Sequence, residues 1–208
     1  MKPFRSEHGT LVPLDRADVD TDQIIPKQFL KRIERTGYGD YLFNDWRYDA
    51  TGVARDEFVL NKPEYAGGRV LVAGRNFACG SSREHAVWAL QDYGFRAVIA
   101  ESFADIFHNN ALKSGLLPVA LEPQEVRALL DLAVENPGVH AIVDLEDQTV
   151  SAGDLRFSFD IGSFDRHCLL EGLDDIGLTL RHESAIDAYE QQRPSWMPDL
   201  AREVATAP

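Results

Sequence analysis

Gly80-Ser81-Ser82-Arg83-Glu84 places two hydroxyls, a guanidinium and a carboxylate side by side directly after a glycine. The apolar run Val70-Leu71-Val72-Ala73 and the segment Gly74-Arg75-Asn76-Phe77-Ala78-Cys79 precede it, and an apolar pattern of helical period follows. That order predicts a strand, a tight turn and a helix start. The first N–H groups of a helix have no intrahelical acceptor. The turn therefore aims N–H donors, hydroxyls and a cation at one small volume, which suits a carboxylate or a phosphate. Ser81 and Glu84 also fit a capping box, in which the two side chains only satisfy helix donors. Capping leaves Gly80, Ser82 and Arg83 unexplained, the last being a cation in a first turn where the dipole favours anions. On local chemistry alone both readings stand.

Other chemistry-bearing residues give weaker signals. Asp20 and Asp22 lie in the polar run 15–22, where aspartate commonly turns the chain by bonding its own backbone. His85 follows Ser81 at helical spacing, yet Gly80-Ser81-Ser82-Arg83 lacks the G-x-S-x-G pattern of a hydrolase elbow. His108, beside Asn109 and Asn110, has no second histidine at metal-ligand spacing, which favours a hydrogen-bonded role in a core or interface. Cys79 and Cys168 are far apart and form no CxxC pair, so neither a disulfide framework nor an in-chain iron–sulfur cluster is indicated, and no metal is expected on this chain. Cys79 reads as a small turn-packing residue.

The elements that must hold the glycine turn follow a strand–helix–strand rhythm: strand 70–73, helix 83–93 stopped by Gly94, strand 97–100, helix 105–114 ending at Gly115, strand 118–121 and helix 123–135. This rhythm predicts an α/β fold with a parallel core and helices on its faces. Residues 9–14 read as an opening strand. Segments 139–145 and 149–159 alternate around Glu146-Asp147-Gln148 and predict an additional β-hairpin. Helices are expected over 165–171 and 175–191. Residues 27–52, rich in charge, aromatics and glycine, read as a mobile connection with short helical pieces rather than a second core. A single domain over 1–192 and a C-terminal tail from 193 to 208, docked on a partner or loose, complete the expected organisation.

The chain has 208 residues, 44% hydrophobic and 26% charged, ordinary for one globular domain with a sizeable core. Its formal charge of −13 argues against nucleic acid. The N-terminal residues show no apolar signal core and no long uncharged stretch is present, which predicts a cytoplasmic protein with no membrane association.

The segment GRNFACGSSREHA resembles the signature of the swivelling domain of the aconitase superfamily, and most closely that of the 3-isopropylmalate dehydratase small-subunit family. Asp18-Val19-Asp20-Thr21-Asp22-Gln23-Ile24-Ile25-Pro26 is similar to the family's DTDxIIP motif. Residues 107–118 are similar to its FxxNxxxxGLLP segment, and Asp174-Asp175-Ile176-Gly177-Leu178-Thr179-Leu180 to its DDIGLTL box. The four matches occur in order along the chain.

The resemblance implies a swivelling β/β/α domain and half of a hydro-lyase. Such an enzyme moves a hydroxyl between neighbouring carbons of a small dicarboxylate in leucine biosynthesis, and a large partner subunit supplies a [4Fe-4S] cluster. It assigns Ser81 as the base, and Ser82 and Arg83 as carboxylate binders, with Asp22 as the active-site aspartate. A substrate-reading loop falls on Phe29-Leu30-Lys31-Arg32, where phenylalanine replaces the family's tyrosine and either Lys31 or Arg32 supplies the cation. Small subunits of homoaconitase or methylmalate-type hydro-lyases are the neighbouring alternative, and a non-enzymatic anion-binding module the distant one.

Overall fold

The computed structural model describes residues 1–31, 36–194 and 196. Two compact units emerge, Met1–Leu173 and Asp174–Pro208.

In the first unit the chain runs from β1 (Ser6–Leu14) through α1 (Thr21–Ile24), α2 (Asn44–Arg47) and several 3-10 turns to β2 (Val70–Ala73). It continues as α3 (Glu84–Tyr93), β3 (Ala97–Ala100), α4 (Asp105–Ser114), β4 (Leu117–Ala120) and α5 (Pro123–Glu135). β5 (His140–Asp144), β6 (Thr149–Ala152), β7 (Leu155–Ser158) and α6 (Ser163–Glu171) follow. All seven strands form one sheet in the order β4-β3-β2-β1-β5-β6-β7. β1 is its pivot: Leu11–Leu14 pairs in parallel with β2, while Ser6–Thr10 pairs antiparallel with β5.

Every residue of β2 and β3 is buried, the continuous apolar signature of parallel strands covered on both faces. Alternate side chains enter different cores, as the two-residue strand period requires. Leu71, Ala73, Val98 and Ala100 pack with Ala86, Val87 and Leu90 of α3 and Phe107 and Ala111 of α4. Val70, Val72, Ala97 and Ile99 pack on the opposite face with Val126, Leu129 and Leu130 of α5 and with the antiparallel strands. The expected α/β architecture with a parallel core is present.

Four expectations are corrected. The strand expected over 118–121 starts one residue earlier, at Leu117. The expected hairpin is a three-stranded antiparallel meander, because Gly153, at φ +53°, turns the chain between β6 and β7. The connection over 27–52 does consist of short helical pieces, but Tyr38, Leu42 and Phe43 are fully buried in the core shared with α3. Gly39 makes that packing possible, since a Cβ there would lie 2.6 Å from the backbone nitrogen of Tyr93. The helix expected over 175–191 is two helices, α7 (Asp175–Leu180) and α8 (Glu183–Gln191).

These last helices belong to the second unit, where Asp174 caps α7 by accepting the Gly177 N–H at 2.8 Å. Of the tail expected from residue 193, residues 195 and 197–208 lie outside the described residues.

Candidate active site

The loops leaving the carboxyl ends of the neighbouring strands β1, β2 and β3 lie at the end of the sheet where parallel α/β folds commonly bind ligands. Backbone bonds join them. The Thr21 N–H donates to the Cys79 carbonyl at 2.9 Å, the Cys79 N–H to Val19 at 3.0 Å and the Phe77 N–H to Ser102 at 2.9 Å. The turn between β2 and α3 bends sharply, with Asn76 at φ +55°, Ala78 at +60° and Gly80 at +91°. Two of these are non-glycine residues in the left-handed region, a conformation that persists only when neighbours hold it. Asp18, itself at φ +54°, supplies one hold: its carboxylate accepts Asn76 Nδ2 at 2.9 Å and Arg75 Nη2 at 3.0 Å. Ser102 supplies another, its Oγ accepting the Asn76 N–H at 2.8 Å. At Gly80 glycine is required twice over, by its φ and because a Cβ would lie 2.2 Å from Asp20 Oδ2.

Of the two readings of Ser81 and Glu84, the capping box does not form. α3 starts at Glu84, and its N-cap is Arg83, whose side chain makes no capping bond. The box occurs instead at α1, where Asp20 accepts the backbone of the helix start and Gln23 accepts the Asp20 N–H at 2.9 Å. Ser81 and Ser82 are exposed, and neither hydroxyl has a hydrogen-bond partner among the described residues. The Ser81 main chain is fixed, because buried Thr21 donates its hydroxyl to the Ser81 carbonyl at 3.0 Å.

Arg83 grips Asp22 with both terminal nitrogens, Nη2 donating to Oδ2 at 2.9 Å and Nη1 to Oδ1 at 2.5 Å. Nη1 also reaches the Ile25 carbonyl at 3.4 Å. The hydrogen bonds from Arg83, more than its charge, hold the Asp22 carboxyl below the usual carboxylate range, with Lys27 adding to the effect. A guanidinium has two donor forks, and this pair uses the end-on one. Nε has no acceptor among the described residues, and with the second N–H of Nη2 it makes up the side-on fork.

Beside these groups lies a cleft of about 210 Å³. Thr21, Gly80, Ser81, Ser82 and Arg83 supply its polar lining. Ala78 and the start of α4, from Ala104 to Phe107, complete it. The N-cap of α4, Ala104, likewise contributes no side-chain cap. The start of α4 and the polar turn ahead of α3 thus border one small volume, an environment suited to anions. Thr21, Asp105 and Ile106 were not singled out from sequence, although each adjoins a segment that was.

Phe29 and Leu30 are half-buried against the first core, with Phe29 stacked on Tyr41 at 4.1 Å between ring centroids, and neither lines the cleft. Lys31 is exposed at the end of its 3-10 turn, and Arg32 lies outside the described residues. His85 faces aromatic rings, Tyr38 at 5.2 Å and Trp88 at 4.7 Å, and burial pushes its imidazole below its ordinary value. His108 is half-buried beside the Phe103 ring. Burial, with Asp20 and Asp18, raises the Cys79 thiol, the opposite of what a reactive cysteine needs. Among the described residues no group of three or more histidine, cysteine or acidic side chains could hold a metal ion, so this chain's own donors do not fit an iron–sulfur cluster.

Comparison with known proteins places the chain in a family. The family model of the aconitase C-terminal domain matches residues 1–124, which contain every group lining the cleft. The model of the C-terminal domain of the 3-isopropylmalate dehydratase small subunit matches residues 175–203, and its N-terminal companion, LeuD_N, matches 127–163. The 3-isopropylmalate dehydratase small subunit of Acidobacterium capsulatum is 58% identical over 193 residues, covering 92% of this chain and 91% of the relative. This chain belongs to the 3-isopropylmalate dehydratase small-subunit family. The crystal structure of 3-isopropylmalate dehydratase (leuD) from Methanocaldococcus jannaschii is similar across 89% of this chain and 99% of its own, with a TM-score of 0.63 and 28% identity. Membership of this small-subunit family makes the chain a hydro-lyase subunit of the aconitase superfamily.

Proposed function

We propose that this chain works with a large subunit to interconvert 2-isopropylmalate and 3-isopropylmalate in leucine biosynthesis, removing water to give 2-isopropylmaleate and returning it at the neighbouring carbon. The observation that carries the proposal is the meeting of Ser81, Ser82 and Arg83 with the start of α4 in one cleft of a chain from this family.

In the elimination, a base takes the proton from the carbon beside a carboxylate, the C–H electrons form the double bond, and the hydroxyl on the next carbon departs as hydroxide, which with the abstracted proton makes up the one water lost overall. Ser81 Oγ is the proposed base. An ordinary serine hydroxyl is barely ionised at neutral pH, so the alkoxide requires a positive environment, which the start of α3 and Arg83 provide. Ser82 and the side-on fork of Arg83 bind a substrate carboxylate. Asp22 holds the guanidinium at that angle by occupying its other fork.

The Phe29-Leu30-Lys31-Arg32 segment follows Asp22 closely in the chain, Arg32 lying outside the described residues. Phe29 and Leu30 pack against the core, and the cation proposed for the second carboxylate is Lys31 or Arg32. The leaving hydroxyl needs a Lewis acid, which a [4Fe-4S] cluster on the large subunit supplies. Closure of that subunit over the cleft excludes water and strengthens each polar contact. Among the described residues no helix is long and apolar enough to cross a membrane. We place the enzyme in the cytoplasm, acting on a small dicarboxylate with no nucleic acid or membrane partner.

The test is reconstitution. The purified chain alone binds no stoichiometric iron and has no dehydratase activity, whereas adding the large iron–sulfur subunit produces isopropylmalate turnover. Turnover by the chain alone, or a cluster absorbance band after reconstituting it alone, contradicts the proposal.

A further inference from the structure

We propose that Asp105 and Ile106 set substrate choice, accepting a branched alkyl arm and rejecting a third carboxylate. This rests on the isopropylmalate reading of the cleft and assigns to two residues at the start of α4 the discrimination against tricarboxylate relatives of the substrate.

Charge comes first. Arg83 is the one cation among the residues lining the cleft, and its end-on fork is already committed to Asp22. Asp105 adds a carboxylate to the same lining, exposed and with no ion-pair partner among the described residues. A substrate carboxylate has the free side of Arg83. A further carboxylate entering beside Asp105 finds like charge and, among the described residues lining the cleft, no second cation, and such repulsion is a common source of specificity.

Shape and polarity agree. Ile106 lines the cleft while remaining 51% exposed, whereas Phe107, Ala111 and Leu112 form the buried side of α4. Ile106 therefore does not serve the core as those residues do. It offers the polar cleft an apolar wall together with Ala78 and Ala104. Covering a branched hydrocarbon there removes apolar surface of both partners from water. As a first-turn acid Asp105 also stabilises α4, and a melting curve of Asp105→Asn reads that small effect separately from substrate choice.

The experiment measures kcat/KM of the reconstituted two-subunit enzyme for 3-isopropylmalate, a methyl-substituted malate and homoaconitate, taking an inhibition constant where turnover is too slow. Ile106→Ala is expected to lower kcat/KM for isopropylmalate about 10- to 100-fold more than for the methyl-substituted malate, the range for losing a few apolar groups, with Ile106→Val between. Asp105→Asn is expected to raise the preference for homoaconitate relative to isopropylmalate by about tenfold, the equivalent of one modest charge contact. Melting curves establish that the variants fold. If the wild-type complex processes isopropylmalate but these ratios do not move, this inference alone is overturned. If the wild-type complex prefers homoaconitate, the functional reading falls with it.

Discussion

Arg83 and Asp22, distant in sequence, face each other end-on, with Nη2 and Oδ2 2.9 Å apart, while Arg83 also stands as the N-cap of α3. One residue thus ties the loop after β1 to the turn after β2, while its Nε has no acceptor among the described residues. The Asp22 side chain is half exposed, so solvent screens the pair. In a double-mutant cycle of Asp22→Asn and Arg83→Lys, followed by urea unfolding, we expect a coupling of about 0.5–1 kcal/mol. In the assembled enzyme, Arg83→Lys should raise KM more than it lowers kcat, because an ammonium cannot reproduce the fork. A fall in kcat with KM unchanged would make support of the Ser81 alkoxide, rather than carboxylate binding, the main role of Arg83.

Gly80→Ala should be costly far beyond its size. The new Cβ meets the Asp20 carboxylate, and φ of +91° is unfavourable for alanine. We expect a loss of about 1–3 kcal/mol in chemical denaturation and a larger proportional loss of activity, since Ser81 is the next residue. A variant with unchanged stability and turnover would show that the turn is not held as described.

The His85 imidazole, lowered by burial against Tyr38 and Trp88, gives a pH prediction. In the unfolded chain His85 takes up its proton near 6.5, and in the folded chain only at lower pH. Its contribution to stability is therefore complete above 6.5 and is lost as the pH falls towards the folded value. Asp22, also lowered, acts in the same sense but only below its ordinary 3.8. Tm measured from pH 7.5 to 5 should fall less steeply for His85→Phe than for the wild type. Equal slopes would assign the acid sensitivity to other groups.

Much of this architecture is legible in the sequence because buried parallel strands and capped helices leave local marks. Val70–Ala73, Ala97–Ala100 and Pro123–Glu135 are found where their apolar runs and turn residues put them. The failures are tertiary. Serine before glutamate looks like a cap, yet the Thr21–Ser81 and Arg83–Asp22 bonds join this turn to the loop after β1, and the helix starts after Arg83. No window of local sequence carries that information. Likewise Tyr38 is buried against His85 and Trp88 of α3, far along the chain, so its segment resembles a loose connection until the fold is assembled. Ile106 occupies an ordinary first-turn position, and only the placement of α4 beside the Ser81 turn brings it to the cleft.

The most direct test of the account is Ser81→Ala in the reconstituted two-subunit enzyme, with kcat, complex formation and chain stability measured on the same preparation. Ser81 is exposed and does not cap α3, so stability should change by less than about 0.5 kcal/mol. Assembly should be intact and kcat for isopropylmalate nearly abolished. A loss of about 1 kcal/mol in stability with kcat per folded enzyme retained would make Ser81 a helix cap and contradict its role as the base.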